Sequence, residues 1–269
     1  MGLLTVPQPY DFERSLDRFT FWGVDRANVW HDGGLHRVVG GREVRIAPAN
    51  GGVQVEPFDA VIELVVRKLL GLELDLDPFY AFAERDPVLT RAVQHLRGYR
   101  PPLAPDPFEA LVSSITAQQV SLHSAFAVRS RLIERFGVPG NQAVAFPTRE
   151  RIASATEDEL TALGFSRRKA EYVLGLARAD LDFDELALLP DEDVKARITA
   201  LRGLGEWSAD WFLARHLARP EAWPAGDLGL RKAVRAFYPE VTDVRAAGVR
   251  FHPFQNLSAH YLLAALRYQ

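Results

Sequence analysis

The chain has 269 residues, 48% of them hydrophobic, and a formal charge of -3 at pH 7, which is the composition of a globular protein with one large domain or two small ones. It contains no cysteine, and this excludes a disulfide framework, a thiolate zinc site, an iron–sulfur cluster and a cysteine nucleophile. A pI near 6.2 argues against a broadly basic nucleic-acid coat, although global charge does not speak to a local patch.

Residues Met1 to Arg18 carry Pro7, Pro9, Asp11, Glu13 and Asp17 where a secretory signal would need a basic start and an apolar run. No apolar stretch in the sequence is long enough to cross a bilayer, so a cytoplasmic protein without a membrane partner is expected. From Phe19 to Pro57 short β-like runs (FTFWGV, LHRVV, REVRIA, VQVEP) alternate with turn signals at Asp32-Gly33-Gly34, Gly40-Gly41 and Asn50-Gly51-Gly52, which predicts a small antiparallel sheet. Beyond Phe58 the period becomes helical, with Val61, Leu64, Val65 and Leu69 on one stripe and a second helix over about Pro78 to Arg97.

The four prolines of RPPLAPDP, residues 100 to 107, mark the expected boundary between an N-terminal mixed α/β subdomain (1–99) and a helical core (100–269). Asp106-Pro107-Phe108-Glu109 combines an N-cap, a first-turn proline and a capping-box glutamate, and opens a helix with Phe108, Leu111, Val112 and Ile115 on one face. The helix breaks at Thr116 to Val120. Ser121 caps the next, whose stripe is Ala125, Val128, Leu132 and Phe136. Thr156 with Glu159 reads as another capping box, and Gly164, Pro190 and Gly203 divide the remainder into short helices.

Residues 191–218 read as two helices joined by a tight hairpin at Leu201-Arg202-Gly203-Leu204-Gly205-Glu206. Glycines at 203 and 205 leave backbone N–H groups uncovered before the positive end of a helix, an arrangement that holds phosphate without lysine. That matters in a chain where only four of 32 cationic residues are lysine. A bare G-x-G between helices is equally a C-cap plus a packing glycine. Trp207, Trp211 and Trp223 crowd near the turn, and Asp227 stands directly before another helix, where it reads as an N-cap. An N-cap and a working carboxylate are compatible roles, because a helix N-terminus favours the ionised form.

LRGLGEWSA at 201–209 with Asp227 resembles the helix-hairpin-helix and catalytic aspartate of the base-excision DNA glycosylase superfamily, and most closely its 3-methyladenine DNA glycosylase II (AlkA) branch. The resemblance extends over Pro9 to Phe12, DPFEALVSSITAQQVS at 106–121, FPTRERIAS at 146–154 and LGFSRRKAEYVLGLA at 163–177. It implies a mainly helical fold with an N-terminal α+β subdomain. It also implies a monofunctional glycosylase that flips alkylated purines out of double-stranded DNA and hydrolyses their N-glycosidic bond, acting as a monomer at the nucleoid.

By this resemblance Asp227 is the catalytic carboxylate, stabilising oxocarbenium charge at C1′ or orienting water. Trp207, Trp211 and Phe254 would line the base pocket, where aromatic faces attract a cationic alkylated base by ~0.5 to 2 kcal/mol. Core packing is the other reading for Trp211. DNA contacts would come from Gly203, Gly205, Ser208, Arg202, Gln118 and Gln119, with Gln119 the intercalating wedge, or else a polar residue at a helix end. Strand-cleaving relatives carry a lysine where this chain has Trp207. The resemblance adds a structural Na+ or K+ on the carbonyls of Thr199, Leu201 and Leu204, and no required cofactor, iron–sulfur cluster or zinc. Departures lie at Arg202, which replaces a proline, at Gly226 and Leu228 beside the aspartate, and at Gln255, which replaces a frequent arginine. The competing readings are a non-catalytic helix-hairpin-helix protein that binds damaged DNA, and a monofunctional glycosylase for deaminated or oxidised bases. A Gly203→Glu substitution is expected to weaken DNA binding with little loss of folding.

Overall fold

The structure, a computed structural model, describes residues 1–268. Five antiparallel strands, β1 (Gly2–Thr5), β2 (Val29–His31), β3 (Gly34–Val39), β4 (Arg42–Ala49) and β5 (Gly52–Glu56), form a sheet of order β1-β5-β4-β3-β2. Ile46 of β4 stands opposite Leu35 on one side and Val55 on the other. All three are buried, so the period-two pattern fixes which face is covered. The two-residue turn Gly40-Gly41 has positive φ at both positions (56° and 76°), the geometry that joins strands without splaying them.

Helices supply the rest: α1 (Phe12–Leu16), α2 (Arg18–Phe21), α3 (Ala60–Leu69), α4 (Leu76–Ala83), α5 (Pro87–His95), α6 (Pro107–Ala117), α7 (Leu122–Phe136), α8 (Arg149–Ala153) and α9 (Glu157–Ala162). They continue with α10 (Arg167–Arg178), α11 (Phe183–Leu188), α12 (Asp191–Thr199), α13 (Glu206–Arg215), α14 (Leu228–Phe237), α15 (Val244–Ala247) and α16 (Gln255–Arg267). Three apolar cores result. One joins the sheet to α1 and α3, a second lies among α6 to α13, and the third packs residues 74–103 against 230–264. The break expected at residue 100 therefore does not separate two cores: α4 and α5 are built into the C-terminal helices, and prolines 101, 102 and 105 lie in a connection between them and α6.

Several local expectations change in the structure. FTFWGV is not a strand. Its first part is α2, whose Phe19 turns into the sheet core beside Phe12 and Leu16 while Asp17, just before it, pairs with Arg267 at 2.8 Å. Tertiary burial overrides the β preference of aromatic residues. The face of α3 is offset from the expected stripe, with Ile62, Val66 and Leu69 buried and Val61 and Leu64 exposed. The expected helix over 78–97 is two, divided where Asp86 caps α5 by accepting the N–H groups of Val88 and Leu89, with Pro87 in the first turn. Ser121 and the Thr156/Glu159 box cap as read.

Glu109 is not a capping-box residue. Asp106 does cap α6, but the Glu109 carboxylate turns inward, where Oε1 accepts from Arg129 Nη2 at 2.5 Å and Oε2 from Arg37 of β3. Arg129 also pairs with Asp25, and Arg37 Nη1 donates to Asn28 at 2.9 Å. This buried network ties sheet, α6 and α7 together, every charge having an opposite partner.

Candidate active site

The hairpin between α12 and α13 is shaped by one glycine. Gly203 has φ +90°, and a Cβ there would lie 2.1 Å from Cγ of Tyr172, so a side chain at 203 clashes with a ring in the core. Gly205 has φ -111° and open space around it. The backbone N–H groups of Gly203 and Gly205 donate to no acceptor among the described residues. Gly205 gives α13 no side-chain cap, so the positive end of that helix is uncovered. Ser208 differs from expectation: it is buried, and its N–H donates to Gly205 O at 2.9 Å, which removes it from the surface donors. Arg202 is exposed and pairs with Glu171.

α13 carries Trp207, Trp211 and Arg215 at successive i,i+4 positions on one stripe. Opposite them, Asp227 caps α14. Its Oδ1 accepts from the N–H of Leu230 at 2.8 Å, and its Oδ2 accepts from Trp207 Nε1 at 3.0 Å and Trp211 Nε1 at 3.1 Å. The carboxylate is thus oriented by three neutral donors, and among the described residues no cationic side chain bonds to it. It remains half-buried rather than enclosed. Close approach at this point depends on Gly229, where a Cβ would stand 3.0 Å from Asp227 Oδ1.

Two residues that the sequence reading passed over complete the surroundings. The Arg215 guanidinium lies 3.8 Å over the Trp211 ring. Burial pulls its pKa down to about 9, with Arg18 adding to the fall and Asp227 opposing it, so it stays cationic at neutral pH. His260 packs 5.6 Å from the Trp211 ring. Burial, then Arg215 and Arg18, hold that imidazole neutral. The i,i+4 spacing of Arg215 from Trp211 was the available signal. Nothing local in the sequence points to His260.

The break between α6 and α7 meets the hairpin, since Gln118 Nε2 donates to Gly203 O at 2.7 Å. Gln119 projects beyond it, exposed, in a left-handed conformation with φ 54°, unusual for a residue with a side chain. Val120 and Leu122 beside it are exposed apolar residues. Phe254 is not brought to the tryptophans. Its ring centroid lies 5.3 Å from Phe82 and 6.0 Å from Phe79 of α4, in a separate aromatic group. Gln255, where the resemblance expects an arginine, is buried in the first turn of α16.

The family described as HhH-GPD superfamily base excision DNA repair protein matches residues 112–247. A DNA-3-methyladenine glycosylase of Bacillus subtilis is 29% identical over 214 residues, covering 75% of this chain and 71% of that protein, and the chain spans 57% of the length of two further curated relatives. Among solved structures, a 3-methyladenine DNA-glycosylase from Archaeoglobus fulgidus superposes with TM-score 0.89 at 27% identity, over 100% of this chain and 99% of that one. The 3-methyladenine DNA glycosylase Mag1 of Schizosaccharomyces pombe, solved in complex with abasic DNA, superposes with TM-score 0.60 at 25% identity over 69% of this chain and 94% of that one. The matched segment holds the hairpin, the tryptophans and Asp227, and with it this chain belongs to the HhH-GPD superfamily of base excision DNA repair proteins.

Proposed function

We propose that the protein is a monofunctional DNA glycosylase that flips alkylated purines of the 3-methyladenine and 7-methylguanine type out of double-stranded DNA and hydrolyses the bond between C1′ and the base nitrogen. The observation that carries this reading is the Asp227 carboxylate, aimed by two indole N–H groups and a helix N-terminus while still half-open. A purine alkylated at a ring nitrogen is cationic and departs with the bonding electron pair as a neutral base, so no general acid is needed. Asp227 stabilises the positive charge that develops on the sugar, and water adds to C1′, giving up its proton to the carboxylate or to solvent. Trp207 supplies an aromatic face for the flipped base, and Arg215 stacked on Trp211 bounds the site.

Lysine placement supports hydrolysis without strand cleavage, which requires an amine that reaches C1′. Lys195 pairs with Asp210 at 3.4 Å, Lys169 Nζ donates to Thr116 O at 2.9 Å, and Lys68 faces His216 at 3.5 Å. Lys232 sits exposed on α14, and Trp207 holds the hairpin position. On the same reading the N–H groups of Gly203 and Gly205 take backbone phosphate, and Gln119 fills the gap left by the flipped nucleotide. The carbonyls of Thr199, the last residue of α12, and of Leu201 and Leu204 beyond it lie at the negative end of that helix and would hold a structural Na+ or K+. No helix among the described residues is long and apolar enough to cross a membrane, and the protein would act as a monomer in the cytoplasm at the nucleoid.

The test is release of free base from duplexes containing 7-methylguanine, 3-methyladenine or hypoxanthine, by the wild type and by Asp227→Asn. Release of the alkylated bases, abolished in the variant, is expected. Binding without release of any base overturns catalysis, and spontaneous strand scission overturns the monofunctional assignment. Release of hypoxanthine alone would move the substrate class to deaminated bases.

A further inference from the structure

We infer that the groove beside α14 is a second backbone-phosphate site, one that seats the strand whose nucleotide enters at Asp227. The inference rests on the proposed glycosylase function for the identity of the strand. The groove has a volume of about 290 Å³ and is lined by Gly226, Arg231, Arg235, Thr242, Asp243 and Arg245. Arg231 and Arg235 are four residues apart on one face of α14 and exposed. Among the described residues neither has a carboxylate partner, and neither donates a hydrogen bond from its side chain.

The rest of the lining is already engaged. Arg245 is held by Glu206 in a two-pronged pair at 2.6 and 2.9 Å. The Asp243 carboxylate accepts the N–H groups of Arg245 at 2.9 Å and Ala246 at 3.2 Å, capping α15. Taking Arg245 with Glu206 as neutral, the groove holds two free guanidiniums against one capping carboxylate. Its field is therefore positive, and its two free donors match the oxygens of a phosphodiester.

Its position makes this charge useful. Gly226 lines the groove and precedes Asp227 in the chain, while Glu206, which fixes Arg245, follows Gly205 of the hairpin. A strand that places C1′ at Asp227 brings its own phosphates against a carboxylate, a like-charge approach that weakens binding unless cations lie beside it. The hairpin offers uncharged N–H donors ahead of α13. Arg231 and Arg235 add charge from α14, the helix that Asp227 caps, and so offset that repulsion without bonding to the carboxylate.

The experiment measures binding of the full chain to a duplex with a tetrahydrofuran abasic-site analogue across a range of salt concentrations, alongside 7-methylguanine release. The double variant Arg231→Gln/Arg235→Gln should reduce the slope of log affinity against log salt by about 1 to 2 and weaken binding roughly tenfold at physiological salt. Arg231→Lys/Arg235→Lys should restore the slope. Arg91→Gln, an exposed arginine of α5 outside the groove, should leave it unchanged. An unaltered slope in the double variant, or an equal drop with Arg91→Gln, overturns the site. If the wild type releases no alkylated base while the slope still responds to the groove pair alone, the glycosylase reading fails and the phosphate site stands.

Discussion

Glu109 and Asp227 are both carboxylates in the first turn of a helix, or at its cap, and both are held by several donors, yet the structure uses them in opposite ways. Glu109 is closed in: two arginines grip it, and although burial opposes its ionisation, Arg37 and Arg129 outweigh that and hold it below the ordinary carboxylate range. Its charge is cancelled and has nothing left to act on. Asp227 is held by two indoles and a backbone N–H, which fix its orientation without pairing its charge; under the proposed function that charge faces the cation that develops on the sugar. Neutral donors orient a carboxylate without neutralising it, whereas cationic donors pair its charge.

The comparison breaks most sharply at Asp227 itself. Asp227→Asn keeps one oxygen to cap α14 but removes the charge and turns an amide NH2 toward the two indole N–H groups; it should slow base release by ~10³-fold or more per folded molecule, with a smaller loss of stability than Glu109→Ala. Glu109→Ala should do the reverse. It leaves two buried guanidiniums short of a partner and should cost about 3 to 5 kcal/mol of stability in urea unfolding, with activity per folded molecule little changed.

Next in size is a pH effect on the closed part of the fold. His216, at the C-terminal end of α13, is buried with Nδ1 2.8 Å from the carbonyl of Ala104. Burial, reinforced by Lys68, pushes its pKa from 6.5 down to about 4. As pH falls below 6.5 the unfolded chain takes up a proton that the folded one refuses, so this contribution is fully present above 6.5 and lost progressively towards 4. The loss should reach ~3 kcal/mol, read as urea midpoints at pH 7 and pH 4.5. His216→Asn should flatten the difference.

A smaller effect tests the indole donors: Trp207→Phe keeps an aromatic face and loses one hydrogen bond to a charged oxygen, for a loss of about tenfold in base release. At the hairpin the expected Gly203→Glu test must be replaced. With φ +90° and Tyr172 against the position, that variant disturbs the turn itself, whereas Gly205→Asp meets open space at the N-cap of α13 and should weaken abasic-DNA binding by a few-fold to tenfold by covering and charging the open helix end, with an unfolding midpoint no lower than that of the wild type.

Local signals in the chain made the caps, the hairpin and the one-stripe placement of Trp207 and Trp211 legible, because each depends on spacing within a few residues. The same is true of Asp227 as an N-cap. Where a residue's role depends on a distant neighbour the reading changed. Glu109 has the spacing of a capping box but finds Arg37, 72 residues away, and Arg129. Phe254 turned to α4 rather than to the tryptophans, Ser208 spent its N–H inside the turn, and FTFWGV gave up a strand pattern to bury Phe19.

What the amino-acid sequence determined by itself was the class of the site: a glycine hairpin before an uncapped helix, aromatic residues one turn apart, an aspartate at the next helix start, and no cysteine to carry other chemistry. Helical period, turn conformation and capping are short-range physics, so they survive without the fold. Only the tertiary structure decided that both indoles converge on one oxygen of Asp227, that Arg215 lies over Trp211, and that Arg231 and Arg235 open onto a groove beside Gly226. Those facts join elements that the chain separates, and burial of the three cores, rather than any local preference, brings them together.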